Sequence, residues 1–147
     1  MIDESRTTGK GLFNYAHSYF SSATALEAVK VNATHRNAPV YYLYYHAIEL
    51  YLKAHLLAHG TTVQELVSQY SHRICKIADE AKRNGLTLRD TDEEIIKYMG
   101  ETNAVIETRY IVTGSKVLPL FSSLQNTCLY LHQTIEPSVK ESFHTND

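Results

Sequence analysis

Residues 38–59 read APVYYLYYHAIELYLKAHLLAH and stop at Gly60. The segment is apolar almost all round, so as a helix it needs neighbours on several sides rather than one face against a core. Pro39 stands where a first-turn proline is tolerated behind an Asn37 cap, and Gly60 is a natural helix stop. The spacing therefore predicts a helix over 38–59 at the centre of a helical bundle. Its few polar groups gain weight from that position. A carboxylate inside a bundle is costly unless paired, and Glu49 lies four residues before Lys53 in the favourable orientation. His46, His55 and His59 share the same segment.

The other segments supply the neighbours. Leu12, Tyr15, Ala16, Tyr19, Ala23, Leu26 and Val29 step by three and four, which predicts a first helix over roughly 10–31. Thr62-Val63-Gln64-Glu65 is a capping-box pattern opening a short helix to about Gln69. Ser71 is the expected cap of the next helix, whose stripe Ile74, Ile77, Ala78, Ala81 runs to Asn84-Gly85. Thr91-Asp92-Glu93-Glu94 is a second capping box, with Ile95, Ile96, Met99, Val105 and Ile106 behind it and Gly100 inside. Residues 108–115 are β-branched and read as an extended loop. The last helix is expected from near Pro119 to Pro137, and Val117, Phe121, Leu124, Cys128, Leu131 and Ile135 form an a/d seam suited to a partner helix.

Only three prolines and six glycines punctuate 147 residues, and nothing alternates with period two over a usable length. The expected fold is all-α, an antiparallel up-down bundle of four to five main helices plus a short one. Residues 1–137 form one domain, and 138–147 read as a polar tail. That length suffices to bury about two-thirds of the unfolded surface.

Composition narrows the function. A net charge of -2 and a pI near 6.4 exclude a strongly basic nucleic-acid coat and a polybasic membrane arm. No apolar run reaches the ~18 residues of a spanning helix, and the first residues carry no signal-peptide core, so a cytoplasmic protein without membrane contact is expected. Two cysteines, Cys75 and Cys128, are too few for a disulfide framework and read as structural thiols. His55 and His59 have two-ligand metal spacing, yet Leu56 stands where a zinc hydrolase has its Glu, so no metal and no cofactor are expected. Glycine-rich phosphate loops and nucleophile elbows are missing. Two places suit a ligand. Arg109-Tyr110, with Lys116 in the same loop, offers a phosphate or base contact, against the plainer role of tying down helix ends. His72 follows the expected cap Ser71 at an element end, where sites concentrate.

In order, these residues resemble the HEPN domain (higher eukaryotes and prokaryotes nucleotide-binding). The resemblance is carried by His46-Ala47-Ile48-Glu49-Leu50-Tyr51-Leu52-Lys53-Ala54-His55-Leu56-Leu57, Gly60, Ser71-His72-Arg73-Ile74 and the Ala78/Ala81 helix ending at Gly85. Arg109-Tyr110 is similar to an element found before the last helix in some members. Together they span roughly residues 12–135.

The resemblance implies an antiparallel bundle of four or five helices and a homodimer. It also implies membership of a defence or toxin–antitoxin system, either as a metal-independent ribonuclease or as a non-catalytic partner of a nucleotidyltransferase. The nuclease branch carries an Arg, then four to six residues, then a His near the final helix. No arginine here has a histidine at that spacing, and the last helix holds His132 but no arginine. The expectation is a dimeric, non-catalytic module binding a nucleotide or a protein partner through Arg109, Tyr110, His72 and Lys116. The alternative is a divergent ribonuclease using Arg109 with His72 or His132.

Overall fold

The structure, a computed structural model, describes residues 7–102 and 118–144, with side chains to residue 140. Among the described residues six helices make an antiparallel bundle: α1 (Gly9–Glu27), α2 (Ala38–Ala58), α3 (Val63–Glu65), α4 (Ile74–Arg83), α5 (Asp90–Thr102) and α6 (Phe121–His144). A π turn, Leu66–Tyr70, follows α3 directly. No strand occurs among the described residues.

As its composition requires, α2 is the central element. It packs on α1, α4 and α6. Val40, Tyr44, Tyr45, Ala47, Ile48, Tyr51, Leu52, Ala54 and Leu56 are all buried along it. Of its tyrosines, Tyr44, Tyr45 and Tyr51 are core residues, and the Tyr44 and Tyr51 hydroxyls reach neighbouring helices. Tyr44 donates to Glu27 at the end of α1 (2.6 Å), and burial together with that carboxylate pushes its phenol up to about 12. Asn37 precedes α2 as expected, although its side chain makes no capping bond. At the other end Gly60 (φ 101) lets Gly60 N and Thr61 N donate to Leu57 and Leu56, a Schellman stop.

Helix α1 is shorter than its periodicity suggests, and its buried stripe is offset. Gly9, Phe13, Ala16 and Ala23 face the core, whereas Tyr15 and Val29 are exposed. Thr8 caps it, its Oγ1 accepting from Gly11 N (2.9 Å). A Cβ on Gly9 would stand 3.0 Å from the carbonyl oxygen of Ala54, so the missing side chain lets α1 start against the α2 backbone.

The capping box at Thr62 forms in full, with Glu65 N on Thr62 Oγ1 and Thr62 N on Glu65 Oε1 (both 3.1 Å). The one expected at Thr91 shifts by a turn position, because α5 begins at Asp90 and the Asp92 carboxylate accepts from Arg89 N (3.0 Å). Ser71 does not cap α4: it sits at φ 46, and Arg73 is the residue before the helix. Residues 105 and 106, expected on α5, lie outside the described residues.

The final helix corrects two expectations. It runs through Pro137 to His144, and Val139 is buried, so residues 138–144 continue the helix rather than forming a polar tail. Of the expected a/d seam, Leu124, Cys128, Leu131 and Ile135 are buried within this chain and Phe121 partly so, while residue 117 lies outside the described residues; the Cys128 Sγ is 4.0 Å from the Tyr44 carbonyl oxygen. This seam packs on α2 and is not free for a second copy.

Candidate functional site

Position 49 faces away from the α1 and α6 side of α2, and its carboxylate is 1% exposed. Isolated, such a group would be strongly disfavoured. Lys53, one turn on, donates to its Oε2 at 3.5 Å, the pairing its spacing predicts. The closer partner is His72, whose Nδ1 lies 3.2 Å from both carboxylate oxygens.

His72 reaches that position from a tight turn. After the π turn, Ser71 takes a positive φ, and Arg73 N donates to Tyr70 O (2.8 Å). Leu66 and Tyr70, both buried, anchor this segment to the core. The imidazole is about half exposed (47%) while its Nδ1 rests on a buried carboxylate. Against an ionised carboxylate, which only accepts, Nδ1 is the donor. Arg73, the next residue, is also exposed.

Arg109, Tyr110 and Lys116 lie outside the described residues. Of the expected ligand residues, His72 alone is placed, and it is joined by Glu49 and Lys53 from α2. Glu49 was conspicuous as a carboxylate in an apolar helix. Nothing in the sequence paired it with a histidine 23 positions away.

His132 belongs elsewhere. Its Nδ1 shares a hydrogen bond with the Tyr51 hydroxyl (2.9 Å), and its Nε2 is 3.4 Å from Glu136. Its ring lies between Phe13 and His17 (centroids 4.6 and 4.7 Å). Burial, then His17, lower its pKa. Residues 49 and 51 are separated by about 200° around a helix, so His72 and His132 occupy opposite sides of α2. Within one chain they do not share a site.

His55 and His59 lie against each other, ring centroids 4.1 Å apart and planes tilted by 34°, and His59 Nδ1 is tied to the His55 carbonyl (2.8 Å). His55 is buried, and neither ring nitrogen makes a well-aligned hydrogen bond, although the Asn84 and Ala81 carbonyls are near. Burial and then His59 push it down to about 4, against the carbonyls of Asn84 and Ala81. No group of three or more potential metal ligands converges among the described residues.

Two further arrangements were not legible beforehand. Asp92, fully buried, accepts from Arg89 Nε (2.9 Å) and Thr127 Oγ1 (2.7 Å), joining α5 to α6. Burial alone would raise its pKa; Arg89 and Thr127 outweigh that and leave it lowered. The Arg89 guanidinium also lies over the Tyr130 ring (4.3 Å). It is thus committed to structure. Cys75, expected to be buried, is exposed on α4 beside a cavity of about 300 Å³ between α4 and α5, lined also by Asp79, Lys82, Glu93 and Lys97. Cys128 is buried, and burial pushes its thiol upward.

Comparison with protein-family models, with curated proteins and with solved structures gave no match. No described helix is long and apolar enough to cross a membrane.

Proposed function

We propose that this chain is a non-catalytic HEPN-like module, working as a homodimer, that binds a nucleotide through His72 together with Arg109, Tyr110 and Lys116. One observation carries the reading. The two strings behind the resemblance, residues 46–57 and 71–74, meet at one point, the contact between Glu49 and His72. That contact spends a buried carboxylate on orienting a half-exposed imidazole, with the exposed Arg73 next in the chain. Such an arrangement suits a ligand better than it suits packing, which would favour an apolar residue at position 49. An acidic pI disfavours a long nucleic-acid track, whose affinity depends on neutralising many phosphates, so a small nucleotide or a protein partner fits better.

The test is equilibrium binding of labelled AMP and ATP to the wild-type protein, His72→Ala and Arg109→Ala. Saturable binding weakened about tenfold or more by each variant is expected, as for loss of a charge-assisted contact. Absence of nucleotide binding by a folded wild-type protein would leave the protein-partner form of the reading. Sedimentation over a concentration series tests the dimer, and a persistent monomer would remove it.

The geometry also favours a second reading, a divergent metal-independent ribonuclease. An imidazole whose Nδ1 is held by a carboxylate presents Nε2 as an oriented general base. RNA cleavage in EDTA, lost in His72→Ala and in Arg109→Ala while both retain wild-type circular dichroism, would replace the first reading with this one.

A further inference from the structure

Two unusual backbone features stand immediately before His72. The first is the π turn Leu66–Tyr70, closed by Ser71 N on Leu66 O (2.6 Å). The second is Ser71, at φ 46 and ψ -116, the one non-glycine residue with positive φ among the described residues. With Arg73 N on Tyr70 O, residues 70–73 make a tight turn, and Ser71 occupies the position that in a type II′ turn belongs to glycine. Both features cost free energy and persist where the surroundings enforce them. Here buried Leu66 and Tyr70 fix the segment, and Lys76 Nζ donates to Gln69 O (3.1 Å) across it.

Their combined effect is to bring residue 72 over Glu49. An α-helical continuation from Glu65 would use one residue fewer per closed turn and send the chain out at another angle.

We propose that Ser71 is a positioning residue of the candidate site: its positive φ, with the π turn, aims His72 so that Nδ1 docks on Glu49 and Nε2 faces ligand. This rests on reading the Glu49–His72 pair as a ligand site. The docking claim itself is read out without any ligand.

The experiment is ¹⁵N NMR of the imidazole side chains, with thermal melts and AMP titrations of the same samples. Wild-type His72 is expected to show a proton on Nδ1 protected from exchange, and Glu49→Leu is expected to lose it. Ser71→Gly accepts the same backbone angles, so it retains the Nδ1 signature and melts about 2 °C higher as strain is released. Ser71→Val resists positive φ, and its His72 resonances should move to those of Glu49→Leu, with AMP affinity falling about tenfold. Deletion of Ser68, an exposed residue of the π turn, should give the same His72 shift if Ser71→Val does not fold.

An unchanged Nδ1 signature in Ser71→Val or the deletion variant, or a lower melting temperature for Ser71→Gly, would overturn the proposal. If wild type binds no AMP while Ser71→Val still displaces His72, the nucleotide reading fails and the positioning role stands. If AMP binds equally well to wild type and Ser71→Val with His72 unmoved, the reverse holds.

Discussion

His72 Nδ1 stands 3.2 Å from each carboxylate oxygen of Glu49, a group that is 1% exposed. Removing the imidazole leaves the buried carboxylate, among the described residues, to Lys53 at 3.5 Å. The two residues should therefore be coupled in stability as well as in any ligand binding. In urea unfolding, Glu49→Leu should be less costly in a His72→Ala background than in wild type by about 1 kcal/mol, the usual size of a hydrogen bond to a charged partner at a half-exposed position. Additive effects would mean that the contact does not hold in solution.

Gly100 and Cys75 give a second cycle. A Cβ at position 100 would overlap the Cys75 Sγ, so α5 can lie this close to α4 because no side chain is there. Gly100→Ala should destabilise by about 1–3 kcal/mol through overpacking, despite the better helix propensity of alanine. Adding Cys75→Ala removes the sulfur and should restore stability to wild type or above. A Gly100→Ala protein that melts higher on its own would show that Cys75 simply rotates away.

Stability should fall on mild acidification, and His55 should be a main cause. Its folded pKa is about 4, below the ordinary 6.5, so between those values the unfolded chain takes up a proton that the folded chain refuses. The penalty is absent above pH 6.5 and grows as pH falls toward 4, to about 3 kcal/mol. His132 is lowered in the same direction and adds to the trend. Because both act together, the informative comparison is wild type against His55→Leu at pH 7 and pH 4.5. The variant should lose distinctly less stability between the two. Parallel losses would assign the acid sensitivity elsewhere.

What the sequence revealed was local or periodic. The central place of α2, the Gly60 stop, the Thr62 box and the buried seam of α6 each follow from residues within a few turns of one another. Tyr15 misled because its spacing to Tyr19 and Leu12 suits a stripe, while Phe13 and Phe20 carry the face that α1 actually presents to the core. Ser71 misled because serine before a helix ordinarily caps it, and a strained turn gives no compositional sign when glycine is not used. The polar pairings were out of reach for another reason. Asp92–Thr127 and Tyr51–His132 join different helices and Glu49–His72 joins a helix to a turn, and neither periodicity nor turn chemistry says which polar residue of one element meets which of another.

Pro137 supplies the last test. A proline inside a helix lacks the N–H that would bond the carbonyl four residues back, and its ring crowds that carbonyl. The helix nevertheless continues, because Ile135 and Val139 are both buried on one face and Glu136 pairs with Lys140 across the proline (3.1 Å). Pro137 itself is exposed, so its ring contributes no core packing to offset the lost bond. Pro137→Ala should then stabilise the protein, by up to about 3 kcal/mol. Val139→Ala should cost about 1–2 kcal/mol, as at a core position. A polar tail beyond residue 137 would respond to neither change, so two melting curves indistinguishable from wild type would place the end of α6 at the proline.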